Sequence, residues 1–403
     1  MKVGFVLSQP FGHSIGTDVR IRGLIEGLSK LGVEVHIITP FVDDSSMSRR
    51  HIFVHRSPSL FTRLRISNLT YRLSKKFLNN PSLCKNIVCR KSLLMKNANS
   101  IGENVYKIVR KLDLDIVQAE QQIASLACIN IRKKLDVPVV ADFHGIWAEE
   151  MVASGVIEHG DDCYKVLFGL EQEIACCADA VTVVSEEMKS YIENASGNSG
   201  NKVVLIPNAT FPRAKSAKIV EHPSKVIHSG TLHPWENVEL FVQGMPFVLK
   251  RYPSARFYLT RKGAKLRKIR RLALELGVFP EFTWFSSSKD FFCFLESCDV
   301  GVISSTTNIA RIMGYPQKLY DYLSVGLPVV ANDIGGWTKI IKENKVGVVV
   351  DNDPKAFATG ILELLENPKL IHECGQRGIE LVRRKLNYYK SAEKLLSLYK
   401  HLV

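Results

Sequence analysis

No apolar run in the sequence approaches the ~20 residues that a membrane-spanning helix needs. The clean runs, such as VGVVV at 346–350 and LPVVA at 327–331, are strand-sized. The opening MKVGFVLSQP lacks a signal peptide's long apolar region and small-residue cleavage site, and reads as the start of a strand. The nine cysteines are odd in number and scattered, with Cys176 and Cys177 adjacent. No pair has a structural-zinc spacing, so they read as reduced thiols of a cytoplasmic protein, without a disulfide framework or a metal. The loop QPFGHSIGTD carries Gly12 and Gly16 but not the three glycines of GxGxxG, which excludes the dinucleotide fingerprint there. Acid is scarce in one place: residues 49–111 hold 15 lysines and arginines against the single acid Glu103. That segment accounts for the whole formal charge of +14, so the basicity is local and calls for a local anionic partner.

What is present is globular. With 403 residues, 46% hydrophobic and 23% charged, the chain can bury two or three cores. KVGFVLS reads as a first strand. From Thr17, a plausible N-cap, Ile21, Leu24, Ile25, Leu28 and Leu31 fall on one helical face, and LGVEVHIITP follows as a second strand. LDIVQAE, VPVVADFHG and ADAVTVVSEEM look like further parallel-type strands with polar exits, and NKVVLIPNA closes the series. A second α/β series begins at KVIHSGTLHP and ends in expected helices at 354–366 and 368–401. Two such series predict an α/β protein of two doubly wound Rossmann-like domains facing a cleft. The expected divisions are a first domain at 1–208, a linker at 209–224, a second domain at 225–375, and a helix at 376–403 able to brace the first domain.

One stretch stands out, YPQKLYDYLSVGLPVVANDIGG at 315–336. Pro316 suits a first helical turn. Lys318 and Asp321 then share roughly one side, and Gly326 and Pro328 end the helix. The following strand exits into Gly335–Gly336, whose amides can approach a phosphate. A carboxylate such as Asp321 suits a ribose diol, and Lys318 can neutralise a phosphate. The competing reading is a solvent-facing charge pair worth a few tenths of a kcal/mol.

That stretch resembles the donor signature of the family-4 glycosyltransferases, sugar-nucleotide-dependent enzymes of the two-domain GT-B fold. VIHSGTL resembles the first strand of their donor domain, VTVVSEEM and IPNAT their junction elements, and DFHG the loop with their cleft histidine. The resemblance implies that Asp321 holds the donor ribose and that His144 lies near the transferred sugar. It implies that Gly12 and Gly16 shape the acceptor-side loop, with His13 a further candidate there. Asn208 would sit near the cleft, more structural than catalytic. The amides of Gly335, Gly336 and those after Ser304 could face the donor. It also implies transfer with retention, by front-side attack, with no metal and no cofactor, the nucleotide-sugar being a substrate. Neither Asp43–Asp44 nor Asp161–Asp162 lies in a recognisable donor loop. The expected acceptor is lipid-linked or a saccharide.

Three positions depart from the family pattern. Met313 stands where an acid is usual, Thr231 where an arginine is usual, and Trp235 or Glu236 near a usual lysine. Arg261, Lys262, Arg311 or Lys318 could supply the charge instead. These departures keep an alternative open, a catalytically inactive GT-B-like module that binds a nucleotide or glycan. His144 could equally be a hydrogen-bonded loop histidine, Glu149 and Glu150 read as helix starters, and the aromatic run PEFTWFSSSKDFFCF reads mostly as core. Within the basic segment, Ile66, Leu69, Leu73 and Phe77 gather on one helical face flanked by Arg65, Arg72 and Lys76. Such a helix can rest on an anionic membrane, giving a cytoplasmic protein peripheral at the inner membrane face; equally, its apolar stripe can pack on the protein core. Nucleic acid is not favoured, since no helix-turn-helix, zinc pattern or RNP-like strand accompanies the charge.

Overall fold

The computed structural model describes residues 1–9, 16–40, 51–57, 85, 89–197 and 202–403. They form two compact units, 1–207 with 388–403, and 208–387. The first contains a parallel sheet of β1 (Lys2–Leu7), β2 (Glu34–Thr39), β3 (Ile52–Arg56), β4 (Ile116–Glu120), β5 (Val139–Phe143), β6 (Ala180–Val183) and β7 (Val203–Leu205) in the order β3-β2-β1-β4-β5-β6-β7. The second contains β8 (Lys225–His228), β9 (Arg256–Thr260), β10 (Glu281–Thr283), β11 (Val300–Ile303), β12 (Val329–Asn332) and β13 (Gly347–Val350) in the order β10-β9-β8-β11-β12-β13. Both are doubly wound sheets. Their order reverses between β1 and β4 and between β8 and β11, the switch points beside which such folds bind ligands.

The strands follow from composition. β4, β5, β11 and β12 are buried at every position, as parallel strands covered on both faces require. Helix Gly16–Lys30 buries Ile21, Leu24, Ile25 and Leu28, whereas Leu31 falls just past its end and is exposed. Against this helix lies Tyr388–Leu402. A Cβ at Gly23 would fall 2.2 Å from the Tyr388 ring, and one at Gly27 only 2.8 Å from the Tyr388 carbonyl oxygen. Only glycine permits that approach.

Three features differ from the sequence expectation. The long terminal helix is two helices, Pro368–Arg384 and Tyr388–Leu402. Asn387 breaks it, turning its side-chain amide back onto the Val382 and Arg383 carbonyls and so satisfying the end of the first helix. The units accordingly divide at 207/208 and 387/388. The stretch 209–224 packs within the second unit: the Ala214 amide donates to the Ser324 carbonyl at 3.0 Å, and the Arg213 guanidinium lies 3.3 Å from the centre of the Phe292 ring. Finally, Cys89 and Cys163 are disulfide-bonded, with their Cα atoms 4.6 Å apart. The fold brings together two residues separated by 74 positions, which no spacing rule detects. Cysteine usage therefore gives no argument for a reducing compartment. Within the aromatic run Trp284 is exposed, while Phe291, Phe292 and Phe294 pack on the core. Among the described residues no helix is long and apolar enough to cross a membrane.

Candidate functional site

In the second unit, β8 runs into Ser229–Gly230 and β11 into Ser304–Ser305. Gly230 turns at a φ of +100°, and a Cβ there would lie 3.4 Å from Lys318 Nζ. Lys318 comes from helix Gln317–Ser324, is buried, and pairs with Glu236 at 2.6 Å. His228 Nε2 lies 3.6 Å from the same carboxylate, and Arg311 Nη2 3.8 Å from its other oxygen. Burial opposes the charge on Glu236, but Lys318, His228 and Arg311 together outweigh it and hold the carboxyl well below its usual range. Burial, with Lys318 nearby, lowers His228 and His233 below their ordinary values, so both are neutral at pH 7. Two cations against one carboxylate leave a surplus of positive charge. Around it, Arg311 Nε and Nη2, the Ser304 and Ser305 hydroxyls and His233 Nδ1 are buried without a hydrogen-bond partner. A buried donor lacking an acceptor costs ~1–3 kcal/mol. This grouping suits an anion with several acceptor oxygens.

Asp321 lies one turn beyond Lys318, yet the two are not a pair. Gln317 Nε2 donates to Asp321 Oδ1 at 3.2 Å, and Arg213 is the cation that acts on it. Burial raises the Asp321 carboxyl to about 7, against the Gln317 hydrogen bond and the Arg213 charge. Tyr322 does not extend the site outward. Its hydroxyl accepts from the Ser229 amide at 2.8 Å and so ties the helix to the end of β8. The expected free amides are partly engaged: Gly335 donates to Asp333 Oδ1 at 3.1 Å and Ser305 to Asn332 Oδ1 at 2.9 Å. Gly336, at φ +54°, is required because a Cβ would meet the Ile312 carbonyl oxygen at 2.2 Å. Arg261 and Lys262 are exposed just past β9. Asn208 donates to the Tyr315 carbonyl at 3.0 Å, a bond that pins the start of the signature segment.

In the first unit the corresponding switch point is closed by Glu120 at the end of β4, beside a small cavity lined by Leu7, Gln9, Asp18 and Gln121 among others. His144 follows β5. Its Nε2 is buried without a hydrogen-bond partner, 3.7 Å from Glu120 Oε2 and 3.9 Å from Asp142 Oδ2. Arg20 grips Asp142 with Nη2 at 2.8 Å and Nε at 3.0 Å, and the Thr182 hydroxyl donates to it as well. Burial works to raise Asp142, but Arg20 prevails and holds the carboxyl at about 2. Burial lowers His144 to about 4, with Asp142 opposing. Glu120, Asp142 and His144 bring ligand atoms within 4.8 Å of one another, the one such trio of His, Cys, Asp and Glu among the described residues. The donor set does not suit a cation, because a guanidinium already occupies both Asp142 oxygens. Glu149 does more than start helix Trp147–Ala153: it is buried and accepts from Tyr164 at 2.7 Å, with His159 Nε2 3.0 Å away. Gly16 begins helix Gly16–Lys30; Gly12, His13, Arg65, Arg72 and Lys76 lie outside the described residues.

Arg20, Glu120 and Asp142 are the residues that sequence reasoning missed. Asp142 did leave a signal, since a charge inside VVADF demands a buried partner. That partner lies 122 positions away.

The profile described as "Glycosyl transferase 4-like domain" matches residues 16–209, and "Glycosyl transferases group 1" matches 223–367. Among curated proteins, the chain is 25% identical over 233 residues to a GDP-mannose-dependent alpha-(1-6)-phosphatidylinositol monomannoside mannosyltransferase of Mycobacterium tuberculosis. That alignment covers 54% of this chain and 60% of the relative. An exopolysaccharide phosphotransferase of Streptomyces coelicolor is 24% identical over 50% of this chain and 21% of its own length. Among solved structures, sucrose-phosphate synthase from Thermosynechococcus elongatus superposes with a TM-score of 0.75 at 16% identity, covering 100% of this chain and 98% of that one. Anabaena HepE in complex with UDP-glucose superposes at 0.72 and 14% identity, covering 100% of both. The chain thus spans 60% or less of the length of either curated relative.

Proposed function

Since the chain is a GT-B protein related to the family-4 glycosyltransferases, we propose that it transfers a sugar from a nucleotide-sugar donor to a lipid-linked or saccharide acceptor. The observation that carries this reading is the buried Arg311 guanidinium, whose Nε and Nη2 lack a hydrogen-bond partner, across Glu236 from Lys318 at the β8/β11 switch point. In this reading Lys318 and Arg311 meet the donor diphosphate. Glu236 holds Lys318 in place. Arg261 and Lys262 add charge from the end of β9. Asp321 accepts from the ribose diol. The contacts of Lys318, Arg311 and Asp321 are charge-assisted in a partly desolvated place, where such contacts are strongest.

His144 acts near the transferred sugar. Gly12, His13 and Gly16 belong to the acceptor-side loop. Transfer proceeds with retention and without a metal. Near His144, Asp142 is gripped by Arg20 and Glu120 is buried, so neither is placed as the nucleophile of a double displacement. Front-side attack, with a leaving phosphate oxygen taking the acceptor proton, fits this arrangement. The basic segment with Arg65, Arg72 and Lys76 docks the chain on an anionic membrane from the cytoplasmic side. Sedimentation with anionic but not neutral vesicles, reversed by salt and by charge reversal of those three residues, is the expected result. Sedimentation unchanged by that charge reversal overturns this part.

The second reading is a binding module without turnover. It is favoured by Thr231 and Met313 standing at positions the family usually charges. A panel of sugar nucleotides with lipid and saccharide acceptors decides. Release of nucleoside diphosphate supports the transferase, saturable binding without release supports the module, and neither binding nor release overturns both.

A further inference from the structure

The proposed transfer uses His144 but leaves Glu120 without a role. Glu120 Oε2 and His144 Nε2 are both buried, both lack a hydrogen-bond partner, and lie 3.7 Å apart. Asp142 is the other acid within reach, at 3.9 Å, but Arg20 and Thr182 already occupy its oxygens. Glu120's second oxygen accepts from Gln118 Nε2 at 2.9 Å, and Gln118 accepts from Tyr399 on the terminal helix. The carboxyl is therefore held from behind, with one oxygen turned toward the imidazole. At 3.7 Å the two atoms stand just outside a hydrogen bond, and one proton between them would satisfy both.

We infer that Glu120 is a positioning residue for His144, sharing that proton with Nε2 and leaving Nδ1 as the nitrogen offered to substrate. The inference rests on reading His144 as the residue near the transferred sugar. It assigns to Glu120 the orienting part that a second group plays for an acid–base histidine. Burial and the neighbouring Asp142 charge raise Glu120 well above its usual value, and burial lowers His144. Both directions favour the assignment in which Glu120 keeps the proton and turns it toward a neutral ring. His144 is then the Nδ1–H tautomer, able to donate a hydrogen bond to a sugar hydroxyl or a phosphate oxygen. A purely structural pair would also satisfy the two buried atoms, but its loss would not change which nitrogen carries the proton and turnover together.

The test uses the full chain, labelled with ¹⁵N-histidine, and three forms: wild type, Glu120→Gln and Glu120→Ala. At pH 7 the wild-type His144 signals should report Nδ1 protonated and Nε2 bare. Glu120→Gln, whose side-chain amide still donates, should keep that tautomer. Glu120→Ala should lose it and move the His144 titration toward the ordinary value of ~6.5. In turnover, Glu120→Ala should lower kcat about tenfold or more with donor KM changed less than about twofold, and Glu120→Gln should recover most of the loss. A wild-type ring protonated on Nε2 alone overturns the inference without any variant, as does an alanine variant that keeps the wild-type tautomer and kcat. If His144→Ala leaves kcat unchanged, the catalytic reading of His144 fails, while the tautomer measurement still decides the Glu120–His144 pairing.

Discussion

The two switch points share a topology and differ in polarity. At β8/β11 the side chains are cations and neutral donors gathered round one carboxylate, and the atoms left unsatisfied are chiefly N–H and O–H groups. At β1/β4 and the neighbouring end of β5 the side chains are acids round one guanidinium, and the unsatisfied atoms are Glu120 Oε2 and His144 Nε2. Strand order decides where a doubly wound sheet can bind, but not what. The second unit offers donors to an anion. The first offers a neutral, desolvated histidine whose neighbours fix its protonation.

The sharpest way to break this contrast is to remove the cation on one side. Lys318→Met leaves Glu236 buried with its main partner gone and should cost about 3–5 kcal/mol, read as a fall in Tm. Adding Glu236→Gln should restore most of the stability but not donor affinity. A Lys318→Met variant of wild-type stability and donor affinity would remove the anion site from the second unit.

The matching blow to the first unit is His144→Ala. We expect kcat to fall about 100-fold while donor Kd changes little, because a group acting on the transferred sugar contributes mainly in the transition state. Equal losses in kcat and donor affinity would erase the distinction between the units.

Asp321→Ala should cost about 1.5–3 kcal/mol in kcat/KM, at least about tenfold, at low donor concentration, with the fold intact. The wild type adds a pH signature. A ribose diol donates to a carboxylate, and Asp321 titrates at about 7. Donor KM should therefore rise as pH falls through that value and be flat above it. A donor KM independent of pH between 6 and 8 would put Asp321 outside the donor contacts.

The smallest effect concerns Glu171, buried in the first unit, where it accepts from the Trp147 amide and, at 3.0 Å, from Gln122. Burial raises its carboxyl to about 8 despite those bonds. A folded-state value above the unfolded one means stability that is complete below about 4.5 and declines as pH rises through about 8. Glu171→Gln should flatten the fall in Tm between pH 6 and 9. An unchanged pH slope would show that Glu171 is ionised throughout.

Much of this was legible in residue order. The alternation of apolar strands and periodic helices specified two α/β series. The 315–336 signature located the second switch point, because a proline-led helix, a glycine stop, an apolar strand and paired glycines are local chemistry. The sequence also showed unusual residues at 231, 236 and 313. Long-range partners were not legible. Lys318 and Asp321, three apart, read as a pair until the fold gave the first to Glu236 and the second to Gln317 and Arg213. The Cys89–Cys163 bond and the Arg20 grip on Asp142 were equally invisible. Backbone periodicity and turn chemistry act over a few residues, so the sequence by itself determined the elements and their class. Which buried charge neutralises which, and which nitrogen of His144 is enclosed, depend on distances between residues far apart in the chain, and only the tertiary structure decided them.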